Sequence, residues 1–253
     1  MAKTVLITGA TSGFGKAFAA KFAANGYRLI ITGRREDRLQ AIKDELTAAH
    51  NTEIHTLHFD VQDRNATFKA IESLPAAWQQ IDVLINNAGL ALGRDYVDEA
   101  NLDDWETMID TNLKGLMYVT KAALPFLISN KNAHIINIGS TAAKEVYEKG
   151  NAYCATKSAV EAISKGMRID LLRHGIKVTA IHPGAAETEF STVRFKGDES
   201  QAAKVYDGFQ PLSAEDVADV VFYTTTLPQH VCINDLVLTC TAQANSLYFY
   251  KQG

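Results

Sequence analysis

Thr4-Val5-Leu6-Ile7-Thr8-Gly9-Ala10-Thr11-Ser12-Gly13-Phe14-Gly15 is an apolar run followed at once by a glycine-rich turn, spaced T-G-x-x-x-G-x-G. The run has the length of one buried strand, and residues 16–24 carry apolar side chains at helical spacing. Glycines between the two let the backbone turn sharply and bring the free N–H groups of a helix start against an anion such as a pyrophosphate. Because the turn follows a first strand and opens a first helix, it reads as a dinucleotide site, with a bare tight turn as the competing reading.

Working outward, the same alternation repeats. Short β-branched runs at residues 29–32, 54–59, 83–85, 135–138, 178–181 and 236–239 read as strands, like the first at 4–8. Between them lie amphipathic stretches at 37–49, 64–74, 105–128, 152–173 and 214–225, the last opened by Ser213 with Asp216 in its first turn. Strands that are almost wholly apolar are buried on both faces, and helices between them supply right-handed crossovers. The prediction is an α/β fold: one Rossmann-like, doubly wound sheet of seven parallel strands, with residues 1–253 forming a single domain. Only 189–212 breaks the pattern; this polar insertion is a candidate lid, or an ordinary surface loop.

Composition removes several function classes. The net charge of −4 gives no reason to expect a nucleic-acid partner. No run of 18 apolar residues suits a membrane span, and the first residues lack the pattern of a secretory signal. The 3 cysteines, Cys154, Cys232 and Cys240, form no C-x-x-C pair, which fits a reducing compartment and points to the cytoplasm. The 7 histidines are scattered, and His55 with His58 would face opposite sides of a strand, so no metal site is expected.

The second strand runs into Gly33-Arg34-Arg35, where an enzyme using NAD would usually carry a carboxylate for the ribose hydroxyl. Guanidinium groups suit a 2′-phosphate instead, so NADP(H) is the expected cofactor; the alternative is a pair of solvated arginines. Tyr153 and Lys157 stand four apart at a helix start and share a face. Lowering a tyrosine pKa from about 10 to ~7 takes roughly 4 kcal/mol, which an adjacent ammonium, a helix N-terminus and a nicotinamide cation are expected to supply. Ser140, at the end of the fifth strand, is placed where ligands of open α/β sheets bind, and a substrate oxygen is its expected partner.

Taken together, Thr8-Gly9-x-x-x-Gly13-x-Gly15, Asp60-Val61, Asn86-Asn87-Ala88-Gly89, Asn112, Ser140, Tyr153-x-x-x-Lys157 and Pro183-Gly184 with Thr188 resemble the short-chain dehydrogenase/reductase family over almost the whole chain. The resemblance implies that Tyr153 is the general acid/base, Ser140 polarises the reacting oxygen, and Lys157 binds the nicotinamide ribose. It implies that Asn112 holds a water in a proton relay. It also implies that Asp60 and Val61 contact the adenine, that Asn87, Ala88 and Gly89 line the cofactor, and that Pro183, Gly184 and Thr188 support the nicotinamide end. Gly9, Thr11, Ser12, Gly13, Phe14 and Gly15 would form the phosphate loop.

The stretch from Glu189 to Asp198 is similar to that of the 3-hydroxy acid dehydrogenases that oxidise serine, allo-threonine and related acids. Arg194 is the candidate clamp for a substrate carboxylate, against the alternative of a solvent-facing arginine. Tyr147, which faces the substrate in the resembling enzymes, is a second candidate, with core packing as its alternative. A sulfonate would satisfy the same donors, so a sulfoacetaldehyde/isethionate reductase stays open, as does a non-catalytic NADP-sensing protein. The aromatic end, 246–253, is expected to pack on a neighbouring subunit of a homotetramer or on its own core.

Overall fold

The structure, a computed structural model, describes residues 2–130 and 132–251. The strands are β1 (Thr4–Ile7), β2 (Arg28–Gly33), β3 (Ile54–His58), β4 (Val83–Asn86), β5 (His134–Ile138), β6 (Lys177–Pro183) and β7 (Asp235–Leu238). The helices are α1 (Gly13–Ala24), α2 (Glu36–His50), α3 (Arg64–Glu72), α4 (Leu102–Ile109), α5 (Leu116–Ser129), α6 (Asn151–Asp170), α7 (Glu189–Arg194), α8 (Glu199–Lys204) and α9 (Ala214–Thr226).

Among the described residues the strands form one 7-stranded sheet in the order β3-β2-β1-β4-β5-β6-β7, every neighbouring pair parallel. Val5, Ile7, Leu29, Ile31 and Ile85 meet Phe18 and Phe22 of α1, Leu39 of α2 and Val221 of α9 on one face. Leu6, Ile30, Leu84 and Ile135 meet Ile71 of α3 and Val119 and Leu127 of α5 on the other. Burial on both faces is why the inner strands carry no polar alternation. The result is the expected Rossmann-like, doubly wound domain. Among the described residues no helix is long and apolar enough to cross a membrane.

Three local expectations are corrected. The stretch read as one helix from residue 105 begins at Leu102, where Asn101 caps it by accepting from the Asp103 N–H at 2.8 Å, and a π-helical turn, Asp110–Gly115, interrupts it. The helix read to 173 stops at Asp170 and passes through a 3₁₀ turn, Leu172–His174, to Gly175 at φ 68°. The insertion 189–212 is not irregular: it contains α7 and α8, capped by the side chains of Thr188 and Asp198. Each has 6 residues, too few for an apolar period to emerge in the sequence. At the chain end Phe249 packs on Phe209 with ring centres 5.1 Å apart, whereas Leu247, Tyr248 and Tyr250 are exposed; residues 252–253 of that expectation lie outside the described ones.

Candidate active site

The strand order reverses between β1 and β4, so the chain leaves their carboxyl ends in opposite directions and a crevice opens there. Thr8 closes its floor, accepting from the N–H groups of Asn87 and Ala88, both at 3.0 Å. Asn87 Nδ2 donates to the carbonyls of Thr8 (2.9 Å) and Gly9 (3.2 Å), which fixes the glycine turn. Gly9 sits at φ 66°, and a Cβ at Gly15 would run into the Gly9 carbonyl oxygen.

Ser12 stands at the N-cap of α1 with no side-chain cap bond; its hydroxyl instead accepts from Arg35 Nη2 at 2.9 Å. Arg35 also donates to Thr11 Oγ1, at 2.8 and 3.2 Å. The leading N–H groups of α1 are therefore left without a side-chain acceptor, at the positive end of the helix, which is the chemistry that holds a phosphate. The residues present thus fit a dinucleotide.

At the far end of the crevice Arg34 lies 3.4 Å from Asp60, whose other oxygen accepts from the Gln62 N–H at 3.0 Å. Of the two arginines it is Arg35, not Arg34, that is built into the glycine turn. Sequence reasoning missed two partners here: Arg38 and Glu189. Glu189 accepts from Arg38 Nη1 at 3.0 Å and from Arg35 Nη1 at 3.4 Å, joining α7 to α2. Arg38, in the first turn of α2 directly after Arg34 and Arg35, was the available signal for a wider cationic patch.

At the other end Ser140 follows β5 and opens a 3₁₀ turn, its Oγ accepting from the Ala142 N–H at 3.1 Å. Tyr153 and Lys157 sit on the first turns of α6, both buried, with the ammonium 5.9 Å from the phenol ring centre and donating to the Ile138 carbonyl at 3.0 Å. Asn112, in the π-helical turn, accepts from the Leu90 N–H and donates to its carbonyl, both 2.8 Å, and reaches Thr156 Oγ1 at 3.1 Å. Both of its side-chain donors are engaged, and the amide ties the segment after β4 to α6.

Without a nucleotide the tyrosine pKa is not lowered. Burial and the neighbouring Tyr147 push the Tyr153 phenol up, while a hydrogen bond to Ser140 and the Arg194 cation pull against them. Burial brings Lys157 down to about 8. Desolvation is the largest influence on both groups.

Arg194, at the end of α7, donates from Nη1 to the Tyr147 hydroxyl at 3.1 Å, and its guanidinium lies 5.5 Å from the ring centre of Tyr153. Its Nε is buried without a hydrogen-bond partner. Two ties hold this segment in place: the Gly93 N–H donates to the Arg194 carbonyl at 3.0 Å, and Lys196 pairs with Asp104 at 2.8 Å. Arg94, which the sequence reading did not single out, stands 5.9 Å from the Tyr147 ring centre.

One cavity of about 800 Å³ connects these groups. Every residue expected at the site lines it except Gly15, packed beneath the turn, and Asn112, behind Leu90. Phosphate-seeking N–H groups at one end and a buried phenol beside a serine hydroxyl at the other make this an oxidoreductase that works with a dinucleotide.

The chain belongs to the short-chain dehydrogenase family, whose sequence profile matches residues 3–199. It is 48% identical over 241 residues to the NADP-dependent 3-hydroxy acid dehydrogenase of Salmonella typhi, covering 95% of this chain and 96% of that protein. It is 46% identical over 249 residues to sulfoacetaldehyde reductase 2 of Chromohalobacter salexigens, covering 98% of each. The closed form of a serine dehydrogenase complexed with NADP+ shares the fold with a TM-score of 0.91 at 47% identity, over 98% of this chain and 100% of that one.

Proposed function

We propose that this protein is an NADP(H)-dependent oxidoreductase acting on a small 3-hydroxy acid, of the serine, allo-threonine or 3-hydroxypropionate type, or on the corresponding semialdehyde or keto acid. The observation that carries this reading is the guanidinium of Arg194, with a buried, unpartnered Nε, beside the phenol of Tyr153. A buried donor without an acceptor costs about 1–3 kcal/mol, which an anionic substrate group relieves. The relatives named above support the same class.

Residues 189–212 act as the lid that carries Arg194. Arg35, assisted by Arg34 and Arg38, holds the 2′-phosphate, and the leading N–H groups of α1 hold the pyrophosphate. A nicotinamide held there would supply or take up the hydride. For reduction the protonated Tyr153 phenol gives its proton to the carbonyl oxygen; for oxidation it would first release that proton to solvent, once Lys157 and the bound dinucleotide place positive charge beside it, and then as phenolate take the hydroxyl proton. Ser140 donates a hydrogen bond to the same oxygen, Lys157 holds positive charge behind the phenol, and Asn112 keeps the π-helical turn against α6.

A second reading replaces the carboxylate by a sulfonate, favoured by the similarity to a sulfoacetaldehyde reductase. A spectrophotometric screen of NADP+ reduction decides between them, over serine, allo-threonine, 3-hydroxypropionate, 3-hydroxyisobutyrate and isethionate. With 1-propanol and 2-propanol added as uncharged controls, turnover confined to those controls, or absent throughout, removes both readings. The exposed Leu247, Tyr248 and Tyr250 are the contact surface of a homotetramer in this proposal; an unchanged elution volume after truncation at Asn245 removes that part.

A further inference from the structure

His182, in β6, is completely buried and takes no part in the chemistry above. Its ring bridges two elements. Nδ1 lies 3.2 Å from the Ser140 carbonyl oxygen, and Nε2 lies 2.9 Å from Oδ1 of Asp235, the first residue of β7. The other oxygen of Asp235 accepts from Lys144 Nζ at 2.6 Å. Lys144 ends the turn that Ser140 begins, so one His–Asp pair holds both ends of the segment bearing the Ser140 hydroxyl. The close approach depends on glycine at 139, because a Cβ there would collide with the imidazole.

The charged groups facing the ring are Lys144 from the turn, Asp235 from β7 and Glu161 from α6, which pairs with Lys144 at 3.0 Å and Lys165 at 2.6 Å. Burial and the Lys144 ammonium hold the His182 pKa below its ordinary value, so the ring is neutral at neutral pH. A neutral imidazole has one N–H for two facing oxygens. The Nε2 atom makes no well-aligned hydrogen bond despite its short distance to Asp235, whereas Nδ1 does reach the Ser140 carbonyl. Nδ1 is the ring nitrogen aligned on an acceptor, so the Nδ1–H tautomer is the one that bonds the turn.

We propose that His182 is a positioning residue for Ser140: its Nδ1–H anchors the Ser140 carbonyl, Asp235 anchors Lys144, and the turn between them aims the serine hydroxyl at the Tyr153 phenol. This inference rests on the catalytic reading of Ser140 given above.

Two conservative variants separate positioning from mere packing. The amide nitrogen of His182→Asn falls near the place of Nδ1, and that of His182→Gln near the place of Nε2. His182→Gln is expected to lower kcat tenfold or more with KM for NADP(H) unchanged, and His182→Asn to recover most of that loss. Equal kcat in the two variants, or wild-type kcat in His182→Gln, overturns the proposal. If neither variant folds, Asp235→Ala decides, since its side chain is 34% exposed and its removal leaves the buried ring in place. A three- to tenfold lower kcat supports the proposal, and an unchanged kcat overturns it. Ser140→Ala keeps the two readings apart. Full turnover in Ser140→Ala removes the catalytic reading itself; loss of turnover there alongside an unimpaired His182→Gln removes only the inference about His182.

Discussion

Arg194 and Tyr147, 47 residues apart in the chain, meet through a 3.1 Å hydrogen bond from the guanidinium Nη1 to the phenolic oxygen, directly beside Tyr153. A charge-assisted hydrogen bond contributes about 1.5–3 kcal/mol. Arg194→Ala is therefore expected to raise KM for acidic substrates by about 10- to 100-fold while NADPH affinity, followed by fluorescence titration, stays constant. Arg194→Lys should recover only part of the loss, since a point charge cannot match two oxygens at once. Equal loss on an uncharged alcohol of the same length would show that the arginine does not read the anion.

Lys157 makes the protein less stable than it needs to be. An unfolded lysine titrates near 10.4, and burial lowers this one to about 8. Below pH 8 both states carry the proton and the folded state bears the full cost of the buried charge; that cost fades as pH rises from 8 past 10. Lys157→Met should stabilise the nucleotide-free protein by about 2–3 kcal/mol at pH 7, raising Tm by several degrees, while abolishing turnover. The gain should shrink above pH 10. A lower Tm at pH 7 would contradict the account.

The Tyr153 phenol, raised by burial, stays protonated through neutrality in the free protein. Ultraviolet difference titration of wild type against Tyr153→Phe should show no phenolate from this residue below about pH 10. The same variant should lose about 10²- to 10⁴-fold in kcat and keep its affinity for NADPH. Retained turnover would sink the proton-transfer role.

Glu189 pairs with Arg35 and Arg38, the side chains proposed to hold a nucleotide phosphate. Exposed pairs contribute about 0.2–1 kcal/mol, so Glu189→Gln should tighten NADPH binding by no more than about fivefold. Arg35→Ala should weaken NADPH by about tenfold or more and leave NADH nearly unaffected. Calorimetric titration of both nucleotides checks each sign.

The sheet was readable because each strand is a short apolar run ended by turn residues, and the glycine turn could be placed because β1 precedes it and α1 follows. Tyr153, Lys157 and Ser140 could be placed for the same local reason: two share a helix face and the third lies just past a strand end. Contacts between distant parts of the chain were not. Arg35 with Ser12, Glu189 with Arg38, and His182 with Asp235 meet only because parallel crossovers bring strand ends together. The burial that raises the tyrosine pKa in the nucleotide-free protein was not legible, because spacing reports neighbours along a helix and says nothing of how much water remains around them. Helices α7 and α8 escaped notice because six residues give one apolar repeat at most, although their caps, Thr188 and Asp198, stood in plain sight.

The π-helical turn at Asp110–Gly115 makes the setting of Asn112 depend on chain length as well as on side-chain chemistry. Such a turn accommodates one more residue than a regular helix would. Removing a single residue there would let the helix close into uniform pitch and swing the asparagine by about 100° around its axis. Leu90 and Thr156 would lose their common partner while every amino acid stayed of an acceptable type. Point substitution would pass over this vulnerability, and a one-residue deletion would expose it.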